Sequence, residues 1–134
     1  NLPGFKLEIK AVPFAQRLEI EKAIEYDLSL SSWGPDYSDP MTYLDMWLKG
    51  GSANRMDYYN PKVDELVAKA RTESDLTKRY QMLLDLEKIL LEEDAAIAPL
   101  YQEGESILIR EKINGVLVHP TGAEFTYKWA SIKE

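Results

Sequence analysis

The sequence predicts an α/β protein, and three observations predict it. A strand, a helix and a second strand follow one another over residues 6–32 at the spacing of a βαβ unit. Amphipathic helical stretches then fill residues 41–91, and short alternating segments close the chain.

In the first strand, Lys6 to Val12, Leu7, Ile9 and Ala11 alternate onto one face. Phe14, Leu18, Ala23 and Ile24 form the helical stripe that follows, with Glu19, Glu21 and Lys22 outside. Tyr26 to Ser32 is the second strand. A crossover helix between them makes the two strands parallel, with a right-handed connection. Trp33 comes next, and Gly34-Pro35 cannot continue a regular element. Asp36 therefore stands at a corner beyond the carboxyl end of the second strand, where α/β sheets bind ligands.

Asp39-Pro40 reads as an N-cap followed by proline at the first helical position. The short helix from Met41 to Lys49 stops at Gly50-Gly51, and residues 52–60 form a polar loop. Asn60 or Pro61 opens a helix that buries Val63, Leu66, Val67 and Ala70. Ser74 or Asp75 caps the longest helix, whose apolar stripe (Leu76, Tyr80, Leu83, Leu84, Leu86 and Ile89 to Leu91) is wide enough to predict heavy packing. Ala95 to Gln102 and Ser106 to Ile109 are candidate strands around Glu103-Gly104-Glu105. Val116 to Val118 and Phe125 to Trp129 add short extended pieces.

The 134 residues suit one domain, and a hydrophobic content of 45% is ample for a core. A net charge of -7 argues against nucleic-acid binding. No apolar run reaches the length of a membrane span. With no cysteine, disulfides, thiolate catalysis and zinc-thiolate sites are excluded.

Chemistry concentrates at the Trp33 corner. A flat aromatic beside a fixed carboxylate suits a ligand with a cationic end and an extended or apolar body. Asp36 has a plainer reading too, as a turn acid bonded to its own backbone, and Trp33 has one as a core residue. Asp39 reads as a helix cap rather than a ligand contact. Trp47, Tyr58 and Tyr59 either line the far side of a pocket or simply pack. His119, the single histidine, sits beside Pro120 in a polar turn without identifiable catalytic partners. Asp36, Asp39 and Asp45 beside Trp33 can imitate a glycosidase's paired carboxylates. Against an enzyme, the sequence has no nucleophile elbow, phosphate-binding glycine loop or metal constellation.

The run Tyr26-Asp27-Leu28, then Trp33-Gly34-Pro35-Asp36-Tyr37 and Asp39-Pro40, resembles the ABC-transporter oligopeptide-binding proteins, the extracytoplasmic solute-binding proteins of family 5. Val12-Pro13-Phe14-Ala15-Gln16-Arg17-Leu18 precedes it in the family manner. Tyr59-Asn60-Pro61-Lys62-Val63-Asp64-Glu65-Leu66, Lys78-Arg79-Tyr80 and Ala96-Ile97-Ala98-Pro99-Leu100-Tyr101 follow in order. The order of these individually weak motifs makes the resemblance specific over nearly the whole chain.

The resemblance implies a non-enzymatic receptor that captures oligopeptides and delivers them to ABC permease subunits, with no cofactor or metal. Its fold would be a fragment of a two-lobed periplasmic-binding-protein-like fold. Residues 1–119 would be part of the C-terminal ligand-binding lobe, and residues 120–134 would return towards the other lobe. Asn1 to Lys10 looks like the middle of a protein, which implies a missing N-terminal portion of the same chain. The family places such receptors outside the cytoplasm, as bacterial surface lipoproteins or in the periplasm.

The family's ammonium-binding aspartate falls on Asp36. The resemblance implies that Trp33 borders a side-chain pocket, that Ser32, Trp33 and Gly34 would pair with the peptide backbone, and that Tyr37 would belong to the same site. At Leu30 some members carry a basic residue for the peptide carboxylate, so strict length selection is not implied here. Other readings of the same cleft are a peptide-pheromone or signalling receptor, or one for dipeptides, nickel complexes, haem or oligosaccharides. The isolated segment is expected to dimerise through uncovered strand edges and the apolar face of Phe125, Tyr127 and Trp129.

Overall fold

A computed structural model describes residues 3–133; Asn1, Leu2 and Glu134, which belong to the first and last segments of the reading above, lie outside them. Nine residues make up α1 (Phe14–Lys22). The short α2 (Met41–Leu44) runs directly into a 3₁₀ turn, Asp45–Trp47. Two longer helices follow, α3 (Pro61–Thr72) and α4 (Leu76–Lys88), and α4 continues into a π-turn, Ile89–Glu93.

Local chemistry explains the two long helices. The Asn60 side chain accepts from the Lys62 amide at 3.0 Å, and Pro61 supplies the first helical residue with its φ already set. Asp75 accepts from the Thr77 and Lys78 amides at 2.9 and 3.1 Å. The helices pack through Val63, Val67 and Ala70 on one side and Leu83, Leu86, Ile89 and Leu90 on the other, and α2 adds Met41 and Leu44. Leu66 packs against this cluster but is only partly buried. Leu86 is wholly buried, so truncating it to alanine costs about 2–5 kcal/mol. The expected stripe of α4 is wider than the buried one: Leu76, Tyr80 and Leu84 are exposed.

Within the loop at residues 52–60, one side chain makes most of the local bonds. Asn54 Nδ2 donates to the Leu48 and Tyr58 carbonyls at 3.1 and 2.7 Å, and its Oδ1 accepts from the Tyr58 amide at 3.1 Å. The π-turn brings Asp94 back to the start of α3, where Tyr58 and Asn60 donate to its Oδ2 at 2.5 and 2.7 Å.

The C-terminal part is an antiparallel ribbon in two short ladders. β1 (Ile113–Asn114) pairs with β4 (Ser131–Ile132), and β2 (Leu117–Val118) pairs with β3 (Phe125–Thr126). Between them Gly115 has φ +74°, and a Cβ there would overlap the Trp129 carbonyl oxygen. His119 Nε2 lies 2.8 Å from Thr126 Oγ1 across the ribbon.

Two expectations are corrected here. Residues 6–12 and 26–32 form no ladder among the described residues, nor do 95–102 and 106–109. A strand needs a neighbour for its N–H and C=O groups, and this chain places none beside these segments. Their apolar residues, including Leu7, Ile9, Leu28, Leu30, Leu100 and Leu108, are exposed. On α1 Glu19 and Lys22 lie outside as expected and Leu18 is half-buried, but the rest of the expected apolar stripe is not covered. Phe14 and Ile24 are exposed, and Glu21 is the buried residue at 4% exposure. Burial of its carboxylate is offset by Arg17 and Arg55, both at 3.3 Å, and by the Ser29 hydroxyl, which donates at 2.7 Å. No helix among the described residues is long and apolar enough to cross a membrane.

Candidate functional site

The Trp33 corner is built on α2. Thr42, itself buried, holds it twice: its carbonyl accepts from Trp33 Nε1 at 3.1 Å, and its hydroxyl accepts from the Asp36 amide at 3.1 Å. Asp39 fixes the far end. Its Oδ1 accepts from the Met41 amide at 2.9 Å, but the expected positions shift by one residue: α2 begins at Met41 with Pro40, not Asp39, at its N-cap. Both its oxygens also meet Arg79 of α4 at 2.9 Å. The Arg79 guanidinium holds the Asp39 carboxyl below the ordinary aspartate value.

Trp33, Asp36, Tyr37, Thr42, Asp45 and Arg71 surround an open depression of about 270 Å³. Tyr37 donates its hydroxyl to Asp45 Oδ2 at 3.1 Å, and Arg71 donates to the same oxygen at 2.9 Å. Lost hydration, with the Asp45 carboxylate second, pushes the Tyr37 hydroxyl above its usual range. Asp36 differs from its acidic neighbours. It is exposed, and its carboxylate has no hydrogen bond or ion pair among the described residues.

Of the residues singled out in the sequence, Trp33, Asp36 and Tyr37 come together at this depression. Ser32 and Gly34 lie on the exposed approach to it rather than in its wall, and nothing lies near enough to meet a Cβ at Gly34. Trp47, Tyr58 and Tyr59 stand elsewhere. The Trp47 indole donates to the Tyr43 carbonyl, Tyr58 is bonded to Asp94, and the Lys49 ammonium sits 4.3 Å from the Tyr59 ring centre. Thr42 and Arg71 escaped the sequence reading. Thr42 carried no signal beyond its place in a short helix, and Arg71 is 26 residues from its partner Asp45.

Chemically, the site has one free anion beside an aromatic ring. Asp39 is occupied by the Met41 amide and an arginine, and Asp45 by a tyrosine and an arginine.

No family model matches the chain. The dipeptide-binding protein DppE of Bacillus subtilis is 35% identical over 97% of the chain, which spans 24% of that relative. The substrate-binding domain of an oligopeptide ABC transporter from Bacillus anthracis superposes with a TM-score of 0.85 at 42% identity, covering 98% of this chain and 26% of that one. OppA of Listeria monocytogenes, solved bound to peptide, gives a TM-score of 0.81 at 38% identity, over 99% of this chain and 25% of that one. The chain belongs to the family of ABC-transporter peptide-binding proteins, and it spans about a quarter of the length of these relatives. The similarity carries the α/β fold class, while the βαβ pairing itself does not form within this chain.

Proposed function

We propose that this chain forms part of an extracytoplasmic receptor that captures peptides for an ABC permease, with Asp36 receiving the peptide's α-ammonium. The observation that carries the reading is the unengaged Asp36 carboxylate beside Trp33, in a corner where both neighbouring acids are already paired. The backbone of Ser32, Trp33 and Gly34 supports it. These residues are exposed, and their main-chain groups have no hydrogen-bond partner among the described residues. Such groups can pair with the main chain that every peptide shares, which gives affinity without dependence on side-chain sequence.

In this reading residues 1–119 contribute to the ligand-binding lobe and residues 120–134 lead back towards the other lobe. The exposed Leu7, Ile9, Leu100 and Leu108 are then covered by the remainder of a longer protein. In the isolated segment the same surface promotes dimerisation.

Calorimetry on the full-length receptor tests the ammonium role. Free peptides bind more tightly than their N-acetylated forms, and Asp36→Asn weakens free peptides by about 1.5–3 kcal/mol, the range of a charge-assisted hydrogen bond. Equal affinity for free and acetylated peptides refutes it.

A further inference from the structure

Arg71 is a cation in the wall of the depression that the ammonium role leaves unexplained. It lies in the last turn of α3, and its side chain is 52% exposed. One donor, on Nη2, goes to Asp45 Oδ2. A guanidinium has five N–H donors in a rigid fork, and the others meet no acceptor among the described residues. The same Asp45 oxygen also accepts from Tyr37. The depression therefore offers two free functions of opposite sign: the Asp36 carboxylate, and the remaining donors of Arg71.

We propose that Arg71 receives a carboxylate of the same peptide whose ammonium Asp36 holds, so that the depression favours peptides with an anionic group close to their N-terminus. The proposal rests on the ammonium reading of Asp36 and adds a specificity-determining residue to it. Asp45, itself held by the Tyr37 hydroxyl, acts as a positioning residue: its Oδ2 takes one Nη2 donor, which restricts the guanidinium's orientation and leaves the rest of the fork to a ligand. Its place near the α3 carboxyl end also complements the helix dipole, but that role needs only the charge and is served by the neighbouring Lys69 as well. The carboxylate has two possible sources, an acidic side chain at the first residue or the C-terminus of a dipeptide.

The test is calorimetry on the full-length receptor with matched pairs that all keep a free ammonium. Glu-Ala-Ala-amide against Gln-Ala-Ala-amide reads the side-chain source, and Ala-Ala against Ala-Ala-amide reads the terminal source. The receptor prefers the charged member of at least one pair by about tenfold, the effect of one half-exposed charge-assisted contact. The pair that shows the preference identifies the source. In Arg71→Gln that ratio falls to about one, and Arg71→Lys restores only part of it, because an ammonium lacks the fork.

A ratio near one for both pairs in the unaltered receptor overturns the proposal. So does a ratio that persists in Arg71→Gln while all affinities fall together, which would mark Arg71 as structural. A uniform gain of affinity in Arg71→Gln with an unchanged ratio also overturns it, since Arg71 would then only screen Asp36. Failure of the ammonium reading appears separately, as indifference to N-acetylation, because every probe in the Arg71 comparison carries the same free ammonium.

Discussion

Replacing Asp39 with alanine removes three contacts at once. The Met41 amide loses its acceptor at 2.9 Å, and Arg79 loses both oxygens, each at 2.9 Å. Loss of that hydrogen bond costs about 1 kcal/mol. The ion pair is bidentate and spans 40 residues, but its partners keep 31% and 18% side-chain exposure, so solvent screening limits it to about 1–2 kcal/mol. Arg79 is not left bare, since its Nε still donates to the Ala70 carbonyl at 3.0 Å. Together Asp39→Ala destabilises the fold by about 2–3 kcal/mol.

The assay is urea denaturation of the full-length receptor followed by tryptophan fluorescence, with Arg79→Met and the double variant completing a cycle. The coupling energy is about 1 kcal/mol. The pH dependence has a definite sign. Arg79 holds the Asp39 carboxyl below its unfolded value of 3.8, so the pair's contribution is present above pH 3.8 and is lost as pH falls through the folded value. The gap between the unaltered protein and Asp39→Ala therefore narrows below pH 3.8. A loss under about 0.5 kcal/mol at neutral pH, or additive single variants, refutes the claim that this pair ties the site to α4.

Gly115→Ala disrupts the C-terminal ribbon by about 2 kcal/mol or more, because it combines a positive φ with an overlap against backbone. Hydrogen exchange at Ile113, Leu117 and Thr126 reports it, and unchanged protection shows that the turn can relax. Burial, reinforced by Asp94, pushes the Tyr58 hydroxyl from 10.0 up to about 12. Its contribution is complete below pH 10 and lost as pH rises towards 12, so an alkaline stability curve falls across that window. Tyr58→Phe flattens the fall; an identical alkaline limb in the variant would assign the loss to other groups.

How much was legible depends on the reach of each interaction. Asn60 and Asp75 cap within two or three residues, so α3 and α4 could be placed from local sequence. Strands depend on a neighbour that alternation cannot supply, and segments 6–12 and 26–32 alternate without pairing. An apolar stripe places Glu21 outside because it weighs each side chain by its own polarity and not by its partners. The residues that make its burial tolerable include Arg55, 34 positions away, which no periodicity announces. The site divides in the same way. Trp33, Asp36 and Tyr37 are nearly contiguous and could be read together, whereas Arg71 and Arg79 reach the corner only through the packing of α3 and α4 beside α2.

These long-range contacts also explain how an irregular segment can present a defined site without a sheet beneath it. Tyr26 donates to the Arg55 carbonyl at 2.8 Å, Ser29 to Glu21 at 2.7 Å, and Arg17 to the Leu30 carbonyl at 3.2 Å. After Leu30 the main chain has no partner among the described residues until the Asp36 amide reaches Thr42, and Asp39 then locks the segment to Arg79. Side chains thus secure residues 26–30 and 36–42 and leave the main chain between them unpaired. Ordering that stretch in advance lowers the entropy lost when a ligand pairs with it. Under the proposed peptide reading, the same arrangement keeps these exposed groups free of protein partners among the described residues, so that a peptide main chain can replace the water on them.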